Sequence, residues 1–249
     1  MNTNLLVCVA FTLSLQVELA RAQSKKIICS FSTTKAAPIG YQPEYIPLEV
    51  CPYVIFKAFS FPNIIGRQML FSDVEKVAFS RVVSSVRKRS NTVRVVASID
   101  GSARDFTTTS SATVRRKAFV QTAVSLLLEL DADAIELNWK ASSNSGNDRV
   151  TMVQLLQDLR QAVNAVTKST RSGVRELWFR GSLHPSLISE AYNIFDVCEL
   201  VDHVTLDPNT AESLENSHAP LYGTPQVLPM YVPNIGNIYY PKTGYVSSS

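Results

Sequence analysis

The sequence predicts an α/β fold built from parallel βα units. Short apolar runs of strand length alternate with longer segments whose apolar residues recur at helical spacing, and Pro, Gly and polar clusters separate them. The composition is that of a globular protein, with 45% hydrophobic and 18% charged residues among 249, enough for one sizeable core. Strand, helix and strand at this spacing indicate right-handed parallel connections.

Six apolar runs are predicted to be strands, and four amphipathic segments are predicted to be helices, with Asp73 as a candidate N-cap of the first helix. The Ser/Thr cluster Thr107–Ser111 leads into the second helix, and the polar stretch Ala141–Asp148 is predicted to be an exposed loop. The strands are Lys26–Phe31, Tyr53–Phe59, Val93–Ile99, Asp133–Lys140, Glu176–Phe179 and Asp202–Asp207, and the helices are Asp73–Arg89, Ala112–Leu130, Val150–Lys168 and Ser186–Cys198.

Residues 1–22 are predicted to be a secretory signal peptide. Leu5–Leu15 is an apolar core, and Ala20-Arg21-Ala22 supplies a small-x-small cleavage pattern. The apolar run is shorter than the roughly 20 residues that cross a bilayer, and no later stretch approaches that length, so no membrane association is expected. The sequence therefore predicts a secreted, extracellular protein with one domain over residues 23–249.

The cysteines fit an oxidising compartment. Of four cysteines, Cys8 lies in the predicted signal peptide. In a secreted protein Cys29 and Cys51 are the expected disulfide pair, and the closed loop contributes about 3 kcal/mol. Cys198 is left over among apolar neighbours, which favours a buried free thiol, with intermolecular pairing as the alternative.

Charge and histidine spacing argue against several classes of site. The net charge of +3 is too small and dispersed to predict a nucleic-acid partner, and the densest basic run, Arg87–Arg89, is expected to cap or solvate a helix end. His184, His203 and His218 lack metal-ligand spacing, and no phosphate-binding glycine loop occurs. No metal and no cofactor is therefore expected.

The stretch Asp133–Lys140 is the centre of the predicted site. Its polar side chains after Glu136 alternate with apolar ones, which is typical of a buried parallel strand whose C-terminal end opens into a site.

Four features in chain order resemble glycoside hydrolase family 18, the chitinases and the non-catalytic chitinase-like lectins. Each motif alone is degenerate, but four in register over about residues 26–222 make chance unlikely. The first is an early cysteine, Cys29, with a second one that opens strand two, Cys51–Phe59, whose Tyr-Ala-Phe ending has one residue inserted. The second is a Ser-x-Gly-Gly motif with its first Gly replaced, Ser98–Gly101, and the third is an Asp-Gly-x-Asp-x-Asp-Trp-Glu motif, Asp133–Lys140, preceded by Phe119–Gln121. The fourth is the sixth strand, Val201–Asp207, followed by a Pro-Leu-Tyr stretch at His218–Tyr222.

The resemblance implies a TIM (β/α)8-type barrel, here incomplete. About six βα units are recognisable, and the divergent Pro/Tyr-rich tail 208–249 offers little room for two more. The resemblance also implies that active members cleave chitin with the substrate's own N-acetyl oxygen as nucleophile and the motif's final Glu as the acid.

The catalytic positions of the family are occupied by other residues in this chain. Lys140 stands at the final Glu, Asn138 at the preceding Asp and Glu136 at the middle Asp, while Asp133 and Trp139 match the motif. On strand six the family's Tyr corresponds to Leu206. Because a lysine has no acidic proton suited to a glycosidic oxygen near neutral pH, no catalytic residue is assigned and no enzyme activity is expected.

Two interpretations of Lys140 stay open. In the first, its positive side chain pairs with Glu136 or Asp207 and tightens the barrel mouth. In the second, it lines a sugar or anion pocket.

For a retained sugar site the resemblance implies Phe59, Trp139, Asn138 and Asp207 as carbohydrate-binding residues. Packing in the core is the alternative for Phe59 and Trp139. Trp178, in the fifth strand's run, is expected to be core.

The expected function is a secreted, catalytically inactive chitinase-like protein that binds chitin or other N-acetylglucosamine-containing glycans. A second reading, from a different class, is a protein-interaction or signalling factor that has lost sugar binding and has a protein partner. The third is an active chitin hydrolase that uses another acid.

Overall fold

The computed structural model describes residues 27–65, 68–140, 146–166, 174–182 and 191–207. The predicted signal peptide, the tail from residue 208 onward, and the two histidines His184 and His218 lie outside these ranges.

Six parallel strands form one sheet in which every strand pairs with the next sheet strand along the chain. This order is the one expected of a β/α barrel, and all six predicted strands are present. The sheet strands are β1 (Ile28–Ser32), β2 (Tyr53–Ser60), β5 (Arg94–Ser102), β6 (Ala134–Lys140), β7 (Glu176–Ser182) and β8 (His203–Asp207), and an unpredicted antiparallel hairpin after β2 contributes β3 (Asn63–Ile65) and β4 (Gln68–Leu70).

Helices occupy the connections between the strands. They are α1 (Thr33–Ala36), α2 (Asp73–Arg89), α3 (Ala103–Ser111), α4 (Thr113–Glu129), α5 (Gly146–Ala165) and α6 (Ile194–Leu200), with two 3-10 turns at Ala37–Ile39 and Pro43–Tyr45.

Three details of the helices differ from the prediction. The N-cap residue of α2 is Ser72, so Asp73 lies in the first turn. The Ser/Thr cluster belongs to α3, which Ser102 and Asp105 begin with a reciprocal capping box and which buries Phe106. The helix α5 begins at Gly146, inside the stretch predicted to be a loop.

Side chains alternate between the two faces of the sheet, as the strand period of two requires. On β6, Ile135, Leu137 and Trp139 belong to the main core between sheet and helices, whereas Ala134 belongs to a separate small cluster on the barrel's inner face. The other members of the inner cluster are Ile28, Tyr53, Ile55, Val96 and Trp178.

The inner face is strongly curved. The ring of Tyr53 on β2 lies 5.1 Å from that of Trp178 on β7 and 5.4 Å from that of His203 on β8, measured between centroids. Rings from the second and sixth strands of the sheet meet across the interior because the sheet curls toward closure. The described residues therefore form an incomplete TIM-type barrel, as predicted, and Trp178 is fully buried in its floor.

A polar cluster surrounds Glu176 at the N-terminal end of the strands. Its carboxylate pairs with Arg94, accepts a 2.9 Å hydrogen bond from Trp178 Nε1, and lies 3.5 Å from His203 Nε2. Burial alone would raise the pKa of Glu176, but the hydrogen bonds from His203 and Trp178 and the charge of Arg94 outweigh it and hold the pKa below 4.5.

The predicted disulfide between Cys29 and Cys51 is present, with a Cα–Cα distance of 5.6 Å, and it joins β1 to the segment that leads into β2, two residues before that strand begins. Cys198 is a half-buried free thiol in the described part of the chain, and burial together with the charge of Glu199 raises its pKa to about 11.

The basic run at the end of α2 is engaged in the fold. Arg87 donates to the carboxylate of Asp133 at 2.7 Å, and Arg89 donates to the carbonyl oxygens of Ile46 and Pro43. Two of its three charges thus anchor the helix. Among the described helices none is long and apolar enough to cross a membrane.

Candidate functional site

Three polar side chains meet at the C-terminal ends of the neighbouring strands β5 and β6. Asp100 and Asn138 are register partners, and Lys140 lies two residues beyond Asn138 on the same face. Asn138 Nδ2 donates to Asp100 Oδ1 at 2.6 Å, and Lys140 Nζ donates to Asp100 Oδ2 at 2.7 Å. We call Asp100, Asn138 and Lys140 the mouth cluster.

Lys140 pairs with a carboxylate other than the two that the sequence suggested. Its partner is Asp100, which stands where the Ser-x-Gly-Gly motif has its first Gly, and its side chain is 55% exposed. Glu136 is not available to it, since other groups hold both Glu136 oxygens. The side chain of Asp207 lies outside the described part.

Glu136 is fully buried below the mouth cluster and its charge is satisfied. Ser98 Oγ donates to one carboxylate oxygen at 2.6 Å, and Thr205 Oγ1 donates to the other at 2.5 Å. Arg180 Nε donates at 3.2 Å and supplies the opposite charge. A carboxylate held in this way is a structural anion of the barrel interior.

Arg180 is a feature of the site that sequence reasoning missed. It is 1% exposed, and neither of its two Nη groups has a hydrogen-bond partner among the described residues. Its sequence signal is a single arginine in an otherwise apolar strand run, Leu177–Arg180, a pattern that marks a paired buried charge. The guanidinium neutralises Glu136 from the adjacent strand.

Asp133 lies at the opposite end of β6 from the mouth. Its carboxylate accepts hydrogen bonds from Arg87 Nη2 and from the backbone N–H of Val95, both at 2.7 Å. Asp133 therefore fastens α2 and β5 to the start of β6 and takes no part in the mouth.

Trp139 faces the helices, which corrects the expectation of a sugar platform. It is 1% exposed, and its ring stacks on Phe106 of α3 at 4.8 Å with an interplanar angle of 13°. Since Asn138 and Lys140 face the barrel interior, the strand alternation sends Trp139 the other way. A buried ring offers no face to a sugar.

Phe59 is also in the helix-side core, and a bulge in β2 places it there. Phe56 pairs with Ala97 and Phe59 with Ile99, so β2 carries one extra residue where the sequence suggested an insertion. Regular alternation along these residues, without the bulge, would place Phe59 on the inner face with Tyr53 and Ile55. In the structure it is fully buried against Phe79 and Phe71, which corrects its expected role at the sugar site.

The remaining predicted positions lie at the end of β8. The backbone of Asp207 pairs with Ser182 at the C-terminal end of the strand, the same end as the mouth cluster. Leu206, at the family's Tyr position, is 7% exposed and points to the helix side, where it lines a small apolar cavity with Phe179 and Val197. That cavity is apolar and lies on the helix side of the sheet, whereas the mouth cluster is polar and lies on the inner face.

The mouth cluster can present amide and ammonium donors and one carboxylate to a ligand. No group of three or more His, Cys, Asp or Glu side chains in the described ranges could hold a metal ion. The side chain at the motif's acid position is a lysine in an ion pair, and the nearest motif carboxylate, Glu136, is buried in its own ion pair. This arrangement is suited to hydrogen bonding and provides no carboxylic acid at that position.

Relatives of the chain are chitinases and a chitinase-like protein. An endochitinase of Manduca sexta is 27% identical in an alignment of 219 positions, which covers 80% of this chain and 38% of that protein. The class V chitinase from Nicotiana tobaccum shares the fold with a TM-score of 0.70 and 19% identity, covering 86% of this chain and 62% of that one. Human YKL-39, a pseudo-chitinase with retained chitooligosaccharide binding properties, shares the fold with a TM-score of 0.62 and 19% identity, and the match covers 74% of this chain and 50% of that one.

The family assignment rests on most of the sequence. The chain spans less than two thirds of the length of these relatives. The family model for glycosyl hydrolases family 18 nevertheless matches residues 26–243, which include every described strand and helix. Because the matched region also folds into the parallel barrel of the solved chitinases, the chain belongs to the glycosyl hydrolases family 18.

Proposed function

We propose that this protein is a catalytically inactive, chitinase-like protein that binds chitin or other N-acetylglucosamine-containing glycans at the C-terminal mouth of its barrel. The observation that carries the proposal is the mouth cluster, in which Lys140 occupies the acid position and is held by Asp100.

The inactivity follows from the groups that the mouth lacks. A general acid contributes about two to four orders of magnitude in rate, and the ammonium of Lys140 would oppose the positive charge that develops on the sugar ring. Glu136 cannot substitute, because it is buried and accepts hydrogen bonds from Ser98 and Thr205.

Glycan binding is supported by the polar mouth and by the relatives. Asn138 and Asp207, the two predicted sugar-binding residues at the mouth end of their strands, are retained in the proposal, whereas the buried Phe59 and Trp139 are not. A class V chitinase mutant from Nicotiana tobaccum has been solved in complex with NAG4. By likeness we assign the same class of ligand to this chain.

Secretion is part of the proposal. The disulfide between Cys29 and Cys51 suits an oxidising compartment, and residues 1–22 have the pattern of a signal peptide. Mass measurement of the protein recovered from the medium of expressing cells tests this, with a start at Gln23 as the expected result.

Retention on chitin beads, measured together with turnover of a fluorogenic chitotrioside, tests the main proposal. The expected result is retention at modest salt without turnover. Lys140→Glu is expected to remain inactive, because Asn138 and Leu206 also depart from the family pattern. Failure to bind the beads would contradict the glycan function, and clear wild-type turnover would contradict the inactivity.

The second candidate function is a protein-interaction factor, and the burial of Phe59 and Trp139 favours it. Both are at most 1% exposed, so neither of these expected aromatic platforms is available to a sugar. This candidate predicts saturable binding to a cell surface or protein partner that added chito-oligosaccharides do not compete away. Competition by the oligosaccharides would favour the glycan function instead.

A further inference from the structure

We propose that Asp100 is an internal competitor for the glycan, whose carboxylate holds the two donor side chains of the mouth that a bound sugar would otherwise use. This inference rests on the proposed glycan function and names the residue that limits the affinity of that site.

The contacts of Asp100 use both of its carboxylate oxygens. One accepts from Asn138 at 2.6 Å and the other accepts from Lys140 at 2.7 Å. Both distances are short, as is usual for charge-assisted hydrogen bonds. The carboxylate therefore draws both donors toward the end of β5 and fixes the directions in which they point.

The position of Asp100 is built into the sheet. It pairs in register with Asn138, and Ser102 pairs with Lys140, so the carboxylate lies between the two donors on the same face. The residue after it, Gly101, is closely covered by Phe106 and Phe61, which keeps the end of β5 in place. The contact is a consequence of strand pairing as well as of side-chain choice.

The mouth cluster is accessible to a ligand, in contrast to the ion pair below it. The side chains of Lys140 and Asp100 are 55% and 32% exposed, whereas those of Glu136 and Arg180 are at most 1% exposed. An exposed ion pair is weak, so a sugar can displace it at a modest loss of affinity, of about five-fold. A ligand must nevertheless break the hydrogen bonds that Asn138 and Lys140 donate to Asp100, or accept hydrogen bonds from those N–H groups of the two side chains that Asp100 does not use.

Isothermal titration of the mature protein with the N-acetylglucosamine tetramer tests the proposal. Asp100→Ala is expected to bind about three- to ten-fold more tightly than the wild type, since both donors are released. Asp100→Asn, which keeps the size of the side chain but removes its charge, is expected to have an affinity between those of the wild type and Asp100→Ala. A thermal melt of each variant establishes that it is folded.

Glu129→Ala is the matched control. Glu129, at the C-terminal end of α4, forms a 3.1 Å ion pair with Lys76 of α2, and the two side chains are 54% and 24% exposed. Both residues belong to helices, on the outer side of the sheet, whereas the mouth cluster faces the barrel interior. Its removal is expected to leave the affinity for the tetramer unchanged.

A double-mutant cycle distinguishes release of donors from a general change of charge. Asn138→Ala is expected to cancel much of the gain in the Asp100→Ala background and to have a smaller effect in the wild type, where Asn138 is already engaged. Additive effects of the two substitutions would contradict the competitor role.

The outcomes separate this inference from the function on which it rests. Wild-type binding with an Asp100→Ala affinity that is equal or lower overturns the inference, because Asp100 would then be inert or would itself accept from the sugar. Such a result leaves the glycan function standing. If neither protein binds the tetramer, the glycan function fails, and the inference fails with it.

Discussion

At the scale of single residues, Glu136 and Arg180 form an ion pair that is completely shielded from solvent inside the barrel. Both side chains are at most 1% exposed, and the pair is completed by hydroxyl donors from Ser98 and Thr205. Buried pairs contribute little net stability relative to an apolar filling, but removal of one partner leaves an uncompensated charge.

Arg180→Met is therefore expected to destabilise the fold by about 3–5 kcal/mol, because Glu136 would remain buried without the positive charge of its partner. Urea unfolding of the two proteins measures the change. In the double variant Glu136→Gln/Arg180→Met, neither side chain is left as an unpaired charge, so much of the lost stability is expected to be recovered. A loss below about 1 kcal/mol in the single variant, the range of an exposed pair, would contradict this account.

At the scale of elements, the junction of β5 with α3 sets the local geometry of the mouth. A Cβ on Gly101 would lie 2.6 Å from Phe106 and 2.8 Å from Phe61, so only a glycine permits the ring of Phe106 to cross the strand. That ring in turn stacks on Trp139 of β6. The stack couples the ends of the two strands that carry the mouth cluster.

Gly101→Ala is expected to cost about 1–3 kcal/mol through overpacking, measured by the midpoint of urea unfolding. Gly181→Ala on β7 is the control, since a Cβ added there would lie 3.4 Å from its nearest neighbouring atom, in Phe179. We expect a smaller loss there. Equal losses in the two variants would show that strand propensity, and not the Phe106 contact, decides the effect.

At the scale of the whole molecule, the floor of the barrel joins strands that are far apart in the sheet. Glu176 is the anion of this floor, with Arg94, Trp178 and His203 around it. Because its pKa is lower in the folded protein than the ordinary 4.5, its ionised form favours folding. That contribution is complete above 4.5 and is lost as the pH falls below it toward the folded value.

The stability advantage of the wild type over Glu176→Gln is therefore expected to be largest near neutral pH and to shrink as the pH is lowered through 4.5. Thermal or urea unfolding of both proteins across this range measures it. An advantage that stays constant with pH, or grows as the pH falls, would contradict a lowered pKa for Glu176.

The positions of the six sheet strands were predictable because buried parallel strands are short apolar runs that can be recognised locally, whereas the barrel itself was implied by the family resemblance. The disulfide between Cys29 and Cys51 was predictable for a similar reason, since few cysteines remain to be paired. The faces of individual side chains were harder to predict. A bulge in β2 places Phe59 in the helix-side core, although regular alternation from Tyr53 would place it on the inner face.

The polar partners in the site depend on contacts between distant parts of the chain. Asp100 and Lys140 are 40 residues apart, and Glu136 is 44 residues from Arg180. Strand alternation alone would have placed Trp139 opposite Asn138, but the identity of Lys140's partner required the register between β5 and β6. The motif residues were sufficient to show the likeness to a hydrolase. Which of their side chains pair with each other could be read only from the folded structure.

The mouth cluster also constrains how this sequence can change over evolutionary time. A change of Lys140 to a carboxylic acid alone would set two carboxylates side by side, and loss of Asp100 alone would leave the lysine without its counter-ion. The effect of a change at residue 140 therefore depends on which residue stands at position 100, and the reverse is also true. The two neighbouring strands are in this sense coupled, so a return to an acid at residue 140 has a different consequence with Asp100 present than without it.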